Sequence, residues 1–336
     1  MTVLKGKQIL VTGGTGSFGQ AFIKSITKAY DVSRVVCYSR DEMKQWEMAK
    51  DYKADSRVRF FIGDVRDKER LTRAMSGIDI VVHAAATKIV PTAEYNPFEC
   101  IKTNILGGMN VVEASIDSGV ERVVALSTDK ASSPCNLYGS TKLASDKLFI
   151  ASNASYAQGH KTRFAVVRYG NVIGSRGSIL PYWESLIEKG VLPITDERMS
   201  RFVITMNQAI DLVDEALADM EGGEIYVKKL PSVKITDLAK AFSPNASLEY
   251  IGIRPGEKLH EEMISEWDAL TTYEYEKYYK ILPSIYNWND DPKRVKGGKR
   301  VDDGFIYSSD TNTNWLNDEE LQLLIARFRK EFGGKK

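Results

Sequence analysis

The chain has 336 residues, 43% of them hydrophobic and 27% charged, with a formal net charge of +1. That length holds one large domain or two sharing an interface, and the near-neutral balance gives no drive toward nucleic acid or a membrane surface. No stretch reaches the roughly 18 consecutive apolar residues of a spanning helix, and "MTVLKGKQILVTGG" lacks the apolar core of a signal peptide, so a cytoplasmic protein is expected.

Apolar runs alternate with helical patterns through the first half, the signature of a parallel α/β sheet. Strands are expected at "QILVTG", "RVVCYS", "VRFFIGD", "DIVVHAA", "RVVALST" and "RFAVVRYG", with helices at 18–30, 42–53, 68–75, 97–118 and 138–158. This order predicts a doubly wound Rossmann sheet over residues 1–170. Beyond residue 170 the rhythm changes: "NVIGSRGSILPYW" and "PITDERMSRF" are loop-rich and polar. The helical "MNQAIDLVDEALADM" and the strand-like "EIYVKK" return to the sheet at about 204–230. A smaller mixed α/β substrate region is therefore expected in two pieces, 171–203 and 231–336. The tyrosine-rich "TTYEYEKYYKILPSIYNW" is expected to be an irregular, partly packed lobe rather than a platform for stacking bases.

Cys37, Cys100 and Cys135 are far apart and lack CxxC spacing, which disfavours a disulfide framework or a zinc knuckle. Cys135 is expected to be a small buried filler. His83, His160 and His260 are as scattered, and His83, ending a strand pattern, reads as structural. No metal site is expected.

The turn "TGGTGSFG" follows the first strand and opens a helix, the context in which a glycine motif binds a dinucleotide. Gly13, Gly16 and Gly19 give GxxGxxG, and Gly14, Gly16 and Gly19 also satisfy GxGxxG. Without Cβ atoms the backbone turns tightly toward a pyrophosphate on the helix N-terminus, and Thr15, Ser17 and Phe18 share that turn. At the end of strand two, "CYSRDEMK" places Ser39 and Arg40 at the tip and Lys44 a turn later. A hydroxyl and a guanidinium suit the 2′-phosphate of NADP, although Asp41 and Glu42 lie close to where an acid would hold the 2′-hydroxyl of NAD. Asp64 and Val65 are placed to reach the adenine, and Ala84 begins a small-residue approach after strand four.

Tyr138 and Lys142 are four apart on an expected helix and share a face. A free tyrosine titrates near ~10, and an adjacent ammonium favours the phenolate. Such a tyrosine removes a hydroxyl proton while a hydride leaves the same carbon. Thr128, ending strand five, is placed to hydrogen-bond that oxygen. Beside it stand Asp129 and Lys130, an acid and an amine that simple alcohol oxidation does not need.

These stretches, with "FFIGDVRD", "VRYGNV", "GSRGS" and "IGIRPGEKLHE", resemble the extended short-chain dehydrogenases/reductases that act on nucleotide sugars. More narrowly, the chain resembles the inverting UDP-N-acetylglucosamine 4,6-dehydratases, the type that opens pseudaminic acid synthesis, almost end to end. Retaining relatives carry Thr-Asp-Glu where this chain has Thr128-Asp129-Lys130. The resemblance implies oxidation at C4 by Tyr138 and NADP, loss of the C5 proton, departure of the C6 hydroxyl as water, hydride return to C6 and reprotonation of C5 from the opposite face. Asp129 and Lys130 would supply the extra proton transfers. Lys130 leads for the C5 proton and Asp129 for water loss. A lysine base must be neutral, which burial and Lys142 favour and Asp129 opposes.

The resemblance further implies Ser127, Val172 and Lys88 at the cofactor. Lys88 and Asn171 would lie near the sugar, Thr195, Arg254 and Glu257 around the UDP, and Arg176 and Arg201 are added candidates. It implies a homo-oligomer, often a hexamer. Two rivals remain: a nucleotide-sugar 4-epimerase, which needs no acid and base at C5 and C6, and a non-catalytic NADP-sensing regulator, which needs neither Tyr138 nor the triplet.

Overall fold

The computed structural model describes residues 3–155 and 160–332. Six parallel strands form as expected: β1 (Gln8–Thr12), β2 (Arg34–Ser39), β3 (Val58–Ile62), β4 (Ile80–His83), β5 (Arg122–Leu126) and β6 (Arg163–Arg168). Between them run α1 (Ser17–Ala29), α2 (Glu42–Ala49), α3 (Lys68–Ala74), α4 (Val90–Tyr95), α5 (Pro97–Ile101), α6 (Gly107–Asp117) and α7 (Leu137–Ser155). Helices cover both faces of the central strands, so Val11, Val81, Val82, Val123 and Val124 are fully buried and these strands read as unbroken apolar runs. The part of the expected 138–158 helix beyond residue 155 lies outside the described residues.

The strand order β3-β2-β1-β4-β5-β6 reverses between β1 and β4, the crevice where doubly wound sheets bind ligands. Thr12 pairs with His83 and His83 with Ala125, so the loops after β1, β4 and β5 leave the sheet side by side.

After β6 the chain departs and returns through helix Met206–Asp219, whose start is fixed by a Thr205–Gln208 capping box. Strand Ile225–Lys228 then pairs parallel with β6. The tyrosine-rich segment is a correction. It forms antiparallel strands Thr272–Glu274 and Tyr278–Ile281, which extend the main sheet beyond Ile225–Lys228. Tyr273 and Tyr279 are buried and Tyr275 stacks on Tyr278, so regular pairing, not an irregular lobe, satisfies this backbone.

A second apolar core joins Trp183, Leu192, Ile194, Leu238, Phe242, Ile325 and Phe328. It is roofed by helices Ile235–Phe242 and Asp318–Phe332 and carries short ladders, among them Asn171–Val172 beside Ser200–Ile204. This smaller assembly faces the C-terminal ends of the parallel strands. Among the described residues no helix is long and apolar enough to cross a membrane.

Candidate active site

The nucleotide end is a cradle of backbone. Gly13 has φ +65°, and a Cβ there would sit 2.8 Å from the amide nitrogen of Ala85. The β1 turn and the Ala84 loop therefore touch only because residue 13 is glycine. Gly16 precedes α1 and no side chain caps that helix, which leaves first-turn N–H groups for an anion. Phe18 is buried against Phe22, and the Ser17 hydroxyl accepts from the backbone N–H of Arg176 at 3.2 Å.

At the tip of β2 the Thr15 hydroxyl donates to Ser39 Oγ at 3.1 Å, and Gln45 donates to the same oxygen at 3.1 Å. Gln45 thus fixes Ser39, a role its place inside a helical pattern did not announce. Asp41 turns away from the strand tip: its carboxylate accepts from the Lys44 backbone and ammonium, which holds its carboxyl below the ordinary range. Arg40 remains mostly exposed, with Asp64 3.7 Å away. Asp64 is held chiefly by Arg66, and Val65 is buried. Arg176, expected at the substrate, crosses the glycine turn; its carbonyl accepts from Lys88 Nζ at 3.0 Å and its charge acts on Asp41.

The chemical end is built where β5 runs out. Thr128 Oγ1 donates to Asp129 Oδ1 at 2.9 Å and stands beside the Tyr138 hydroxyl. Gly139 lets α7 press on this turn, since a Cβ there would lie 2.2 Å from the Lys130 carbonyl oxygen. Tyr138 is 8% exposed, and burial pushes its hydroxyl up to about 12 despite the nearby Lys130 charge and Thr128 hydroxyl. The cation acting on Tyr138 is thus Lys130. Lys142 instead donates to the Leu126 carbonyl at 2.7 Å, and burial pulls its ammonium below the ordinary lysine value. Beneath it, Ser127 Oγ donates to Asp146 at 2.8 Å, and Asp146 pairs with the fully buried Arg168.

Asp129 is 1% exposed, and burial raises its carboxyl above the ordinary range. Lys130 Nζ lies 3.1 Å from Asp129 Oδ1 and 2.9 Å from Glu261 Oε1. Burial works against its charge, but the two carboxylates outweigh burial and hold the ammonium above the ordinary value. Burial therefore does not free Lys130 of its proton, and the cation opposing the carboxylates is Arg201, not Lys142. Glu261 was not singled out in the sequence, although "IGIRPGEKLHE" ends on it.

The loop bearing Arg254 and Glu257 is tied to the same stretch: Asn136 Nδ2 donates to the Gly256 carbonyl at 2.7 Å and Lys258 Nζ to the Ser132 carbonyl at 2.7 Å. Arg254 and Glu257 form an ion pair with each other. Arg201 spends its guanidinium on the carbonyls of Ser200, Leu259 and Lys258. Asn171, Val172, Ser178 and Arg201 line one recess, where Asn171 Oδ1 and Ser178 Oγ are buried without a protein partner. Thr195 follows strand Val191–Ile194 and is half-buried. Asn104, another residue the sequence reading passed over, sits in the π-turn Lys102–Leu106. It braces the Lys88 loop through Thr87 and donates to Thr141 of α7.

Cys135 corrects another expectation: it is exposed, in the loop before α7, with its thiol 3.4 Å from the Gly256 carbonyl. His83 is structural as expected. It is buried, its Nδ1 lies 2.8 Å from Thr12 Oγ1, and burial lowers its pKa to about 3. Among the described residues no cluster of metal-ligating side chains occurs.

A glycine turn at the switch point and a Tyr-Lys pair after β5 are the architecture of an extended short-chain dehydrogenase/reductase. A family model described as polysaccharide biosynthesis protein matches residues 9–283, and the chain belongs to that family. It is 54% identical over 326 residues to the UDP-N-acetylglucosamine 4,6-dehydratase (inverting) of Campylobacter jejuni, spanning 95% of this chain and 97% of that one. It is 39% identical over 327 residues to the UDP-glucose 4-epimerase of Rickettsia akari, spanning 95% of each. Pen from Bacillus thuringiensis matches in structure with a TM-score of 0.89 at 36% identity, over 97% of this chain and 98% of that one.

Proposed function

We propose that the protein is an NADP-dependent UDP-N-acetylglucosamine 4,6-dehydratase that inverts C5, giving UDP-2-acetamido-2,6-dideoxy-β-L-arabino-hex-4-ulose for pseudaminic acid or a related deoxyaminosugar. The observation that carries this reading is the Asp129–Lys130 pair, 3.1 Å apart beside Tyr138. A 4-epimerase has no work for it, and a cofactor-sensing regulator has work for neither the pair nor Tyr138.

The open cradle at Gly13 and the uncapped start of α1 fit a dinucleotide pyrophosphate. Gly16, Thr15, Ser17, Phe18 and Gly19 would surround it, with Ala84, Lys88, Ser127 and Val172 toward the nicotinamide and Asp64 and Val65 toward the adenine. Arg40, joined by Ser39, would take the 2′-phosphate, and Lys44, paired here with Asp41, would turn from that carboxylate to join them. A bound nicotinamide supplies a hydride acceptor at C4 and a donor at C6.

As its phenolate, the form that the Lys130 charge favours and burial opposes, Tyr138 takes the C4 hydroxyl proton, with Thr128 aligning the oxygen and Lys142 holding the helix against β5 through Leu126. Transfer of one proton from Lys130 Nζ to Asp129 Oδ1 gives an amine and a carboxylic acid side by side. The raised Asp129 carboxyl favours that transfer, and the two carboxylates that hold the Lys130 ammonium above its ordinary value oppose it. The amine then removes the C5 proton, and the acid protonates the departing C6 hydroxyl. Both residues thereby return to their starting charges, and C5 regains a solvent-derived proton on the opposite face. Asn171 and Lys88 would contact the sugar, and Thr195, Arg254 and Glu257 the UDP. Arg201 acts there chiefly by pinning the Lys258–Leu259 backbone. Exposed Tyr95 and Phe98 support a homo-oligomer. Incubation with UDP-N-acetylglucosamine and proton NMR of the product tests the reading: a new C6 methyl signal is expected, and an intact C6 hydroxymethyl group contradicts it.

A further inference from the structure

Glu261 is far from Lys130 in sequence, yet its Oε1 lies 2.9 Å from Lys130 Nζ and its side chain is only 3% exposed. Its backbone is locked on both sides: its N–H donates to Ser309 Oγ at 2.9 Å and its carbonyl accepts from the Ser309 N–H at 2.8 Å. Strand Glu262–Ile264 follows and pairs with Tyr307–Ser308. The smaller assembly therefore delivers a rigid carboxylate into the chemistry of the larger one. Glu261 Oε2 and Asp129 Oδ2 are both buried without a protein partner, so each carboxylate spends one oxygen on Lys130 and keeps the other uncommitted.

We propose that Glu261 is a positioning residue for this site: it anchors the Lys130 ammonium between two carboxylates and sets how readily that nitrogen gives up its proton. This inference rests on the dehydratase reading only for its catalytic consequence. Five charged groups and one phenol face one another here: Asp129 and Lys130 from the turn after β5, Tyr138 from α7, Arg201 from strand Ser200–Ile204, and Lys258 and Glu261 from the loop before strand Glu262–Ile264. Burial works against the Glu261 charge, but Lys130 and Arg201 outweigh it and keep its carboxyl below the ordinary range. Glu261 thus stays ionised, whereas burial holds the Asp129 carboxyl above the ordinary range. Removing the Glu261 charge leaves Lys130 one anionic partner where it had two, and its proton becomes easier to lose.

The test is competitive labelling of the folded protein with acetic anhydride, read by peptide mass spectrometry against exposed Lys189 across a pH series. Lys130 is reachable, with its side chain 25% exposed. In Glu261→Gln, Lys130 labels roughly tenfold faster relative to Lys189 at a fixed alkaline pH, the change that a one-unit fall in pKa produces. Glu261→Asp, which keeps the charge but withdraws it, falls between the two and serves if the glutamine variant does not fold. An unchanged Lys130-to-Lys189 ratio in the folded variants overturns the proposal. The activity arm adds a second readout: the alkaline limb of dehydration moves to lower pH in Glu261→Gln, while cofactor binding is retained. A limb that stays in place while the rate falls also overturns it. The labelling arm uses no substrate, so a wild-type protein that leaves UDP-N-acetylglucosamine untouched refutes the reaction and leaves the labelling to decide this inference.

Discussion

Asn136 holds two structures together: its Oδ1 accepts from the Gly139 N–H at 2.7 Å and its Nδ2 donates to the Gly256 carbonyl at 2.7 Å. One side chain caps the helix of Tyr138 and tethers the loop of Arg254 and Glu257. Asn136→Ala removes both bonds. The cap alone is worth about 1 kcal/mol, so thermal unfolding should shift down by a few degrees. The released loop should raise KM for the UDP-sugar more than it lowers kcat. Steady-state kinetics check this, and an unchanged KM would separate the loop from substrate binding.

Arg40 is exposed at the tip of β2, while Asp41 is bound to α2 and Lys44. Arg40→Asp should weaken NADP by roughly tenfold or more, the worth of a charge-assisted bond plus new repulsion, with a smaller effect on NAD. Competition between the two cofactors measures the ratio.

His83 gives a pH dependence of known sign. Burial lowers its pKa to about 3, so below the ordinary value of ~6.5 the unfolded chain binds a proton that the folded one does not. Its contribution is intact above pH ~6.5 and is lost as pH falls toward 3. Between pH 6.5 and 4.5 the loss is about 2–3 kcal/mol. Urea unfolding of the wild type and His83→Gln at both values should show a shallower fall in the variant, and parallel slopes would rule His83 out.

Arg168 is 1% exposed and pairs with Asp146 at 3.4 Å and Asp268 at 3.0 Å. Arg168→Met leaves Asp146 buried beside an apolar chain and should cost about 3–5 kcal/mol in urea unfolding. Adding Asp146→Asn should recover part of that loss. A double variant as unstable as the single would show that the charge pair is not the cause.

What the sequence announced was whatever is local. β1, β2 and β4 to β6 are buried on both faces, so their apolar runs are plain; the edge strand β3 is apolar enough to read although Arg59 and Ile62 are exposed, and the Tyr138–Lys142 spacing is one helical turn. Helix α4 was passed over because "VPTAEY" has too little apolar period to register. The strands of the tyrosine segment did carry a period of two in "TYEYEKYYK", but their partner, Ile225–Lys228, lies far back in the chain. Glu261 illustrates the remaining limit. Its neighbours His260 and Glu262 give it a polar, turn-like setting, and only the folded contact with Lys130 shows a buried carboxylate. Cys135 was misjudged for the opposite reason: a small apolar side chain carries no mark of the loop that exposes it.

The central claim is that Asp129 and Lys130 stand beside Tyr138 because dehydration adds proton transfers to oxidation. Incubation with UDP-N-acetylglucosamine in heavy water, with the product read by NMR, tests it most directly. The account predicts a 6-deoxy-4-keto sugar carrying deuterium at C5 with inverted configuration, its C6 methyl retaining the hydrogen taken from C4. Lys130→Ala should bind both ligands yet form no such product. A 4-epimer with its C5 hydrogen unexchanged, or a Lys130→Ala enzyme dehydrating at near the wild-type rate, would contradict it.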